Sequence, residues 1–195
     1  AVILDADGVV NDGTLLSLEE DFNIPSERLQ RFFREAFPDC MIGKADLKEA
    51  ILPYLSEWGW EGTVDELLDY WFETGSNIHH EVWDIAKQLK DAGVPVYLAT
   101  NQEKYRAQYM REQMGFGTLF TKMFVSSEMG IKKPSPEFFA YIQKDIGSDD
   151  ASTLLFWDDT KENVDVAASL RIQSHQFVSI ADFKVKMKGY FDFLS

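Results

Sequence analysis

The chain has little cysteine, little basic charge and no long apolar run, and each shortage excludes a class of protein. One cysteine, Cys40, rules out an intramolecular disulfide framework and fits a reducing compartment. Against 33 acidic residues stand 19 lysines and arginines, a net charge of −14 with no basic stripe, so we expect no nucleic-acid partner. Binding to an anionic lipid surface is disfavoured for the same reason. No run reaches the roughly 18 apolar residues of a membrane span, and we expect no secretory leader, because no basic segment followed by an apolar one is seen. We therefore expect a cytoplasmic globular protein without a membrane partner.

The most informative stretch of the sequence is its beginning, where an apolar run over residues 2–4 is followed by Asp5, Asp7 and Gly8. Such a run predicts a buried strand, and the aspartates follow at its carboxyl end, where open α/β sheets bind ligands. Because positions two apart on a strand share a face, Asp5 and Asp7 can converge on one centre. Adjacent carboxylates repel each other unless a cation lies between them or one is protonated. The motif therefore predicts a metal site, an acid–base pair, or both.

The hydrophobic periodicity changes twice along the chain. Residues 17–80 show only helical spacing, with helices predicted over residues 28–37 (ended by Pro38), 44–58, from 63 onward, and about 78–92. After residue 93, apolar strands predicted at 94–99, 122–125, 153–157 and 176–179 alternate with helices at 103–114, 137–146 and 161–170. This alternation predicts an α/β fold, a doubly wound parallel-sheet (Rossmann-like) core formed by residues 1–16 and 81–195. The all-helical segment 17–80 is predicted to be an inserted cap over the strand ends.

Three more segments place polar side chains at the expected edge of this sheet. Thr100 and Asn101 follow the second strand, Lys133 precedes a Pro-Ser-Pro turn that starts a helix, and Asp158 and Asp159 follow a later strand. Several carboxylates with water suit a hard divalent cation, Mg²⁺ above all. A lysine offsets excess negative charge, and a hydroxyl with backbone N–H groups at a helix start suits a phosphate.

Taken in order, these four segments resemble the motifs of the haloacid dehalogenase (HAD) superfamily, in its phosphatase branch with an inserted helical cap. The resemblance covers nearly the whole chain. It implies that Asp5 is a nucleophile that forms an aspartyl-phosphate, and that Asp7 is the general acid and later the general base. It also implies that Thr100, Asn101 and Lys133 bind the phosphoryl group, with Lys133 stabilising its charge beside Asp5.

The same resemblance implies a Mg²⁺ site. Asp5 and Asp159 would supply carboxylate ligands, and Asp7 would supply its backbone carbonyl. Asp158 would be a further ligand or a neighbour of the ligands. Trp157 stands where the resemblance leads us to expect a smaller residue.

We therefore expect a Mg²⁺-dependent phosphomonoesterase that acts on a small phosphorylated metabolite. The predicted cap carries nine of the fourteen excess negative charges, so a neutral leaving group such as a sugar fits it better than a second anion. Three alternatives stay open: a sugar phosphomutase, which shares all four motifs, a 2-haloacid dehalogenase, and a non-catalytic binding domain. Asp7 argues against the dehalogenase, because attack on carbon needs no acid two residues after the nucleophile. The clustered carboxylates argue against a binding domain, because their repulsion destabilises a fold that makes no use of them. The sequence does not predict an oligomeric state.

Overall fold

The computed structural model describes residues 1–13, 21–22 and 24–194 of the chain. Its strands are β1 (Val2–Leu4), β2 (Val96–Thr100), β3 (Lys122–Val125), β4 (Leu155–Asp158) and β5 (Gln173–Gln176). The helices before β2 are α1 (Ser26–Glu35), α2 (Phe37–Met41), α3 (Leu47–Trp58), α4 (Val64–Thr74) and α5 (His80–Asp91). The later helices are α6 (Lys104–Glu112), α7 (Phe116–Leu119), α8 (Ser126–Met129), α9 (Pro136–Asp145), α10 (Lys161–Ser169) and α11 (Ile180–Tyr190), with a 3-10 turn at Ala151–Thr153.

The strands form one parallel sheet in the order β3-β2-β1-β4-β5. The first strand of the chain is therefore the central one, and its Leu4 pairs with Leu98 on one side and Trp157 on the other. The connections run to one side of β1 and then cross to β4, which is the doubly wound pattern. The predicted fold class is confirmed, and the carboxyl ends of β1, β2 and β4 meet at one edge, where such sheets bind ligands.

The sheet is covered on both faces, as parallel sheets require. Val2 and Leu4 face a core completed by α5, α6, α7 and α11. Ile3 points the other way, towards a second core that α9 and α10 complete. The alternation of neighbouring residues between the two cores follows from the strand period of two.

Helices α1–α4, called the helical insertion below, pack around an apolar core of their own. Phe32, Ile51 and Leu67 at its centre are fully buried. Its helices begin where capping side chains satisfy the first backbone N–H groups: Asp46 caps α3, and Thr63 with Glu66 forms a capping box on α4. The predicted boundary between residues 16 and 17 lies outside the described residues.

Two sequence predictions in this region and at the last strand need correction. Pro38 does not end a helix: α1 stops at Glu35, and Pro38 lies in the first turn of α2, where a missing N–H costs nothing. The last strand is not at residues 176–179 but at Gln173–Gln176. This strand lies at the sheet edge and is entirely polar in sequence, so it has no apolar pattern by which to find it.

Among the described residues, no helix combines the length and the apolar character needed to cross a lipid bilayer.

Candidate active site

The carboxyl ends of β1, β2 and β4 open into a cavity of about 320 Å³. The loops after these strands supply most of its lining, because parallel strands bring their following residues to the same edge. The cavity is lined by Asp5, Asp7, Gly8, Asp12, Gly13, Thr100, Asn101, Lys133, Asp159, Thr160 and Asn163. Every residue that the sequence predicted for the site lines this cavity except Asp158, which lies directly behind Lys133.

The centre of the site is an ion cluster around Lys133. Its Nζ lies 2.8 Å from Asp5 Oδ1 and 2.6 Å from Asp158 Oδ2, and the lysine is only 2% exposed. Asp158 is fully buried, and it also accepts hydrogen bonds from Asn163 Nδ2 and from the Thr160 backbone N–H. A buried charge is tolerated only when it is paired and hydrogen-bonded, as each of these is.

The cluster shifts the acidity of its members. Burial raises the pKa of the Asp5 carboxyl well above its usual range; Lys133 opposes the rise and repulsion from Asp158 adds to it. Burial acts to lower the pKa of Lys133, but attraction to Asp5 and Asp158 outweighs it, so that pKa is raised. Burial, followed by repulsion from Asp158, raises the pKa of Asp159. Lys133 therefore stays protonated, and the carboxylates compete for too little positive charge.

Three carboxylates of the cluster are arranged as ligands of a metal ion would be. One oxygen each of Asp5, Asp158 and Asp159 lies within 4.8 Å of the other two. Three carboxylates against the single charge of Lys133 leave an excess of negative charge, which a divalent cation with hard oxygen ligands would balance. The donor set therefore fits Mg²⁺.

Gly8 allows the two acidic strand ends to approach each other. Its φ of 79° lies in the left-handed region, and an added Cβ would overlap the carboxylate of Asp159. The Asp-Gly sequence after β1 thus serves a steric purpose, because only glycine leaves room for Asp159 beside the first motif.

Asp7 is held by two side-chain amides. Asn11 Nδ2 donates to its Oδ1 at 2.8 Å, and Gln102 Nε2 donates to its Oδ2. Asn11 is fully buried and also donates to the carbonyl of Gly75, just beyond the helical insertion. The orientation of Asp7 is therefore fixed from β2 on one side and from the end of the insertion on the other.

Thr100, the last residue of β2, and Asn101, which follows it, have different surroundings. Thr100 is buried and its side chain lines the cavity. Asn101 Nδ2 donates to the backbone carbonyl of Lys133, and the Lys133 backbone N–H donates to Asn101 Oδ1, both at 2.9 Å. The side chain of Asn101 therefore holds the loop that carries the lysine.

Sequence reasoning missed Asn11 and Gln102. Asn11 lies in a loop four residues after Asp7, and Gln102 follows a strand end whose previous two residues carried the motif. Neither position has a spacing or residue type that separates it from an ordinary polar loop residue. Only the folded chain brings the two amides to one carboxylate.

Comparison with known proteins gives matches that cover most of this architecture. A family model described as haloacid dehalogenase-like hydrolase matches residues 1–170. A HAD family enzyme of Bacteroides thetaiotaomicron, solved with magnesium and inorganic phosphate, has a TM-score of 0.77 at 22% identity, over 90% of this chain and 92% of that one. A HAD-like hydrolase of Porphyromonas gingivalis has a TM-score of 0.76 at 18% identity, over 95% and 96%. At these identities the likeness shows the fold.

Two curated fungal proteins are similar over part of the chain. A sesquiterpene phosphatase of Aspergillus oryzae is 35% identical over 86 residues, which are 44% of this chain and 43% of that protein. A drimenol cyclase of Aspergillus calidoustus is 35% identical over 91 residues, which are 47% of this chain and 17% of that protein. Each match thus spans less than half of the relative. The family model, which extends through β1 to α10, is decisive: the chain belongs to the haloacid dehalogenase-like hydrolases.

Proposed function

We propose that this hydrolase is a Mg²⁺-dependent phosphomonoesterase that works through a phosphoryl group on Asp5. One observation carries the proposal: the Asp5 carboxylate is paired with Lys133 and shares a single cavity with Asp7, Thr100 and Asp159. This shared cavity supports the proposal that Asp5 is the nucleophile and Asp7 the proton donor, with Lys133 as the cation and Asp159 as a metal ligand. The fungal relative named a sesquiterpene phosphatase supports the same reaction class.

In the first step, an oxygen of Asp5 attacks the phosphorus of the ester. Among the described residues, the hydrogen bonds to this carboxylate, from the Ala6 N–H at 2.7 Å and from Lys133, fall on Oδ1. Oδ2 therefore stays available for attack. As the new Asp5–phosphorus bond forms, the bond to the leaving oxygen breaks, and protonated Asp7 gives its proton to that oxygen to release an alcohol.

The second step reverses these roles with water. Asp7, now a carboxylate, takes a proton from a water molecule as that water attacks the phosphorus. The bond to Asp5 breaks, inorganic phosphate leaves, and Asp5 is restored as a carboxylate. Asn11 and Gln102 hold Asp7 in one orientation through both steps.

Lys133 and Thr100 serve the transferring group. The lysine ammonium, fixed between Asp5 and Asp158, would offset charge on the phosphoryl oxygens, and Thr100, which lines the same cavity, would donate a hydrogen bond from its hydroxyl to one of them. Asn101 holds the Lys133 backbone and completes the phosphate-binding set through that loop.

Mg²⁺ would be held by Asp5, Asp159 and the Asp7 backbone carbonyl. Asp158, the third carboxylate of the group that fits a metal ion, would be a further ligand or a neighbour of the ligands, and it also accepts hydrogen bonds from Lys133 and Asn163. When bound, the ion supplies Lewis-acid stabilisation of the phosphoryl oxygens.

The helical insertion would act as the cap that closes over the substrate, with residues 1–16 and 81–195 as the core and 17–80 as the cap. The sugar monophosphate expected from the acidic cap stays a prediction.

Hydrolysis of p-nitrophenyl phosphate with Mg²⁺ and with excess chelator tests the proposal. We expect turnover that requires Mg²⁺ and that disappears in the Asp5→Asn variant, which serves as the background control. Equal rates with and without the metal would contradict the metal-dependent mechanism. Inorganic phosphate release from a hexose bisphosphate, compared with transfer of the phosphoryl group to a second hydroxyl, separates the phosphatase from the phosphomutase.

A further inference from the structure

A second cavity, of about 210 Å³, adjoins the first and reaches into the seam between the helical insertion and the sheet. Both cavities are lined by Asp7, Gly13 and Asn101. Because Asp7 would protonate the leaving oxygen, an alcohol released from a phosphoryl group at Asp5 departs along the side of Asp7. The second cavity is therefore a space that the leaving group can occupy.

The insertion contributes apolar side chains to this cavity. Phe37 and Met41 come from α2 and Trp71 from α4. The rings of Phe37 and Trp71 lie 5.7 Å apart, and Trp71 is only 8% exposed, so the aromatic wall is fixed by packing. Rigid aromatic walls bind apolar groups without a large loss of side-chain entropy.

The polar side chains of the cavity already have partners within the protein. Gln102 donates to Asp7, and Glu103 accepts from the backbone N–H groups of Tyr105 and Arg106 at the start of α6. The guanidinium of Arg106 donates to the carbonyls of Phe72 and Gly75 at the end of α4. A sugar hydroxyl in this cavity would have to share these groups with their existing partners, whereas a hydrocarbon leaves those bonds undisturbed.

We propose that the second cavity is a leaving-group subsite for an apolar alcohol, so that the substrate is the phosphate monoester of an alkyl or prenyl-type alcohol. This inference rests on the phosphatase activity proposed above and replaces a sugar with a hydrocarbon as the preferred leaving group. At about 30 Å³ for a water-sized group, the cavity holds roughly seven such groups, so a six-carbon chain fits.

The test is a series of phosphate esters of primary alcohols: ethyl, n-butyl and n-hexyl phosphate, with a hexose monophosphate esterified at its primary hydroxyl. Because all are unactivated primary alkoxides, differences in kcat/KM report chiefly on contacts of the leaving group. We expect kcat/KM to rise by up to about fourfold for each added methylene as far as n-hexyl, and n-hexyl phosphate to exceed the hexose ester.

Met41→Gln should flatten this series, because it replaces an apolar wall by a polar one of similar volume. The matched control is Leu52→Gln, at a residue of the same insertion that is 55% exposed and lines neither cavity. We expect the ratio of kcat/KM between n-hexyl and ethyl phosphate to fall severalfold in Met41→Gln and to keep its wild-type value in Leu52→Gln.

Two kinetic results would overturn the subsite. One is a flat or falling series in the wild type together with ready hydrolysis of acetyl phosphate, which has the same phosphoryl group and a small, activated leaving group, acetate; this outcome leaves the phosphatase intact. The other is a higher kcat/KM for the hexose ester than for every alkyl phosphate. Loss of all turnover, acetyl phosphate included, would instead refute the phosphatase. Calorimetric binding of n-hexylphosphonate and methylphosphonate then decides the subsite directly: tighter binding of the hexyl compound, lost in Met41→Gln, supports it, and equal binding refutes it.

Discussion

Lys133 lines the first cavity and Trp71 lines the second, and different forces hold them. Lys133, on the loop before α9, is fixed by ion pairs of 2.8 and 2.6 Å to Asp5 and Asp158. Trp71, in the helical insertion, is fixed by ring contacts with Phe33 and Phe37, each 5.7 Å between centroids. A buried ion pair loses its balance when one partner is removed, whereas an apolar wall tolerates changes that conserve volume. We therefore expect substitutions in the insertion to change which leaving group is preferred, and substitutions at the strand ends to change the rate of the reaction itself.

The largest effect separates the two sides by activity. Asp5→Asn replaces the proposed nucleophile by an amide, and we expect kcat for p-nitrophenyl phosphate to fall by at least about 10⁴-fold. No single substitution in the apolar wall should approach this loss. Steady-state kinetics with Mg²⁺ on both kinds of variant makes the comparison, and circular dichroism confirms that each is folded. An Asp5→Asn variant that retains most of the wild-type rate would contradict the role of Asp5 as the nucleophile.

The next effect compares a buried ion cluster with a surface ion pair. Lys133→Met leaves two buried carboxylates without their cation and should lower the free energy of unfolding by about 3–5 kcal/mol. Lys104, paired with Asp46 and 57% exposed, is the matched control, and Lys104→Met should change stability little. Urea denaturation measures both. If the two variants unfold at the same urea concentration, the cluster around Lys133 does not have the energetic role that its burial indicates.

Asp7→Asn should remove proton transfer and leave the attack on phosphorus possible. We expect kcat/KM, which reports only the first step, to fall by about 10²–10⁴-fold for alkyl phosphates, since general acid–base catalysis is worth that much. The fall should be smaller for p-nitrophenyl phosphate, whose leaving group needs little protonation. Rates across a series of leaving groups check the difference; a uniform loss along the series would argue that Asp7 acts by some other route.

The smallest effect concerns the amides that hold Asp7. Gln102→Leu removes one of the two hydrogen bonds that described side chains donate to this carboxylate, and it should reduce kcat/KM for alkyl phosphates by about tenfold, with less effect on p-nitrophenyl phosphate. Gln108→Leu, on the exposed face of α6, is the control and should leave both rates unchanged. Because a merely structural defect would lower both rates together, equal losses on the two substrates would show that Gln102 does not position the acid.

Much of the fold follows from the sequence because its strands are apolar and buried. The predicted strand at residues 122–125 coincides with β3, and the helix predicted to start at Thr63 begins one residue later behind a capping box. β5 was misplaced because an edge strand of Gln, Ser, His and Gln carries no hydrophobic period. This failure therefore lies where burial does not determine the residue type.

The last helix, α11, and the size of Trp157 have one common explanation. Trp157 is fully buried and packs edge-on against Phe183 of α11, with centroids 4.8 Å apart. The sequence indicated neither the helix nor the reason for a large side chain before the acidic pair. A tertiary contact between residues 26 positions apart leaves no local pattern, since each residue alone is an ordinary apolar one.

The residues of the candidate site could be predicted where they lie at the end of a strand that the sequence itself indicates. Five of the predicted residues lie at the ends of regular elements, so the alternation of strands and helices brings them together at one edge of the sheet. These are Asp5, Asp7, Thr100, Lys133 and Asp159. The amides on Asp7 and the cavity of Phe37, Met41 and Trp71 depend on how the helical insertion sits on the sheet. That placement comes from side-chain packing across the seam and has no signature in spacing.

The most direct test of the proposed covalent mechanism is the chemical identity of the phosphorylated residue. Asp7→Asn protein, in which hydrolysis of the intermediate is slowed, is mixed with p-nitrophenyl phosphate and Mg²⁺, quenched in acid and digested for mass spectrometry. The proposed mechanism predicts one added phosphoryl group on the peptide that contains Asp5. Hydroxylamine should cleave its bond to the protein, as it cleaves acyl phosphates. A burst of p-nitrophenol with no phosphorylated peptide, or with the phosphoryl group on another residue, would contradict it.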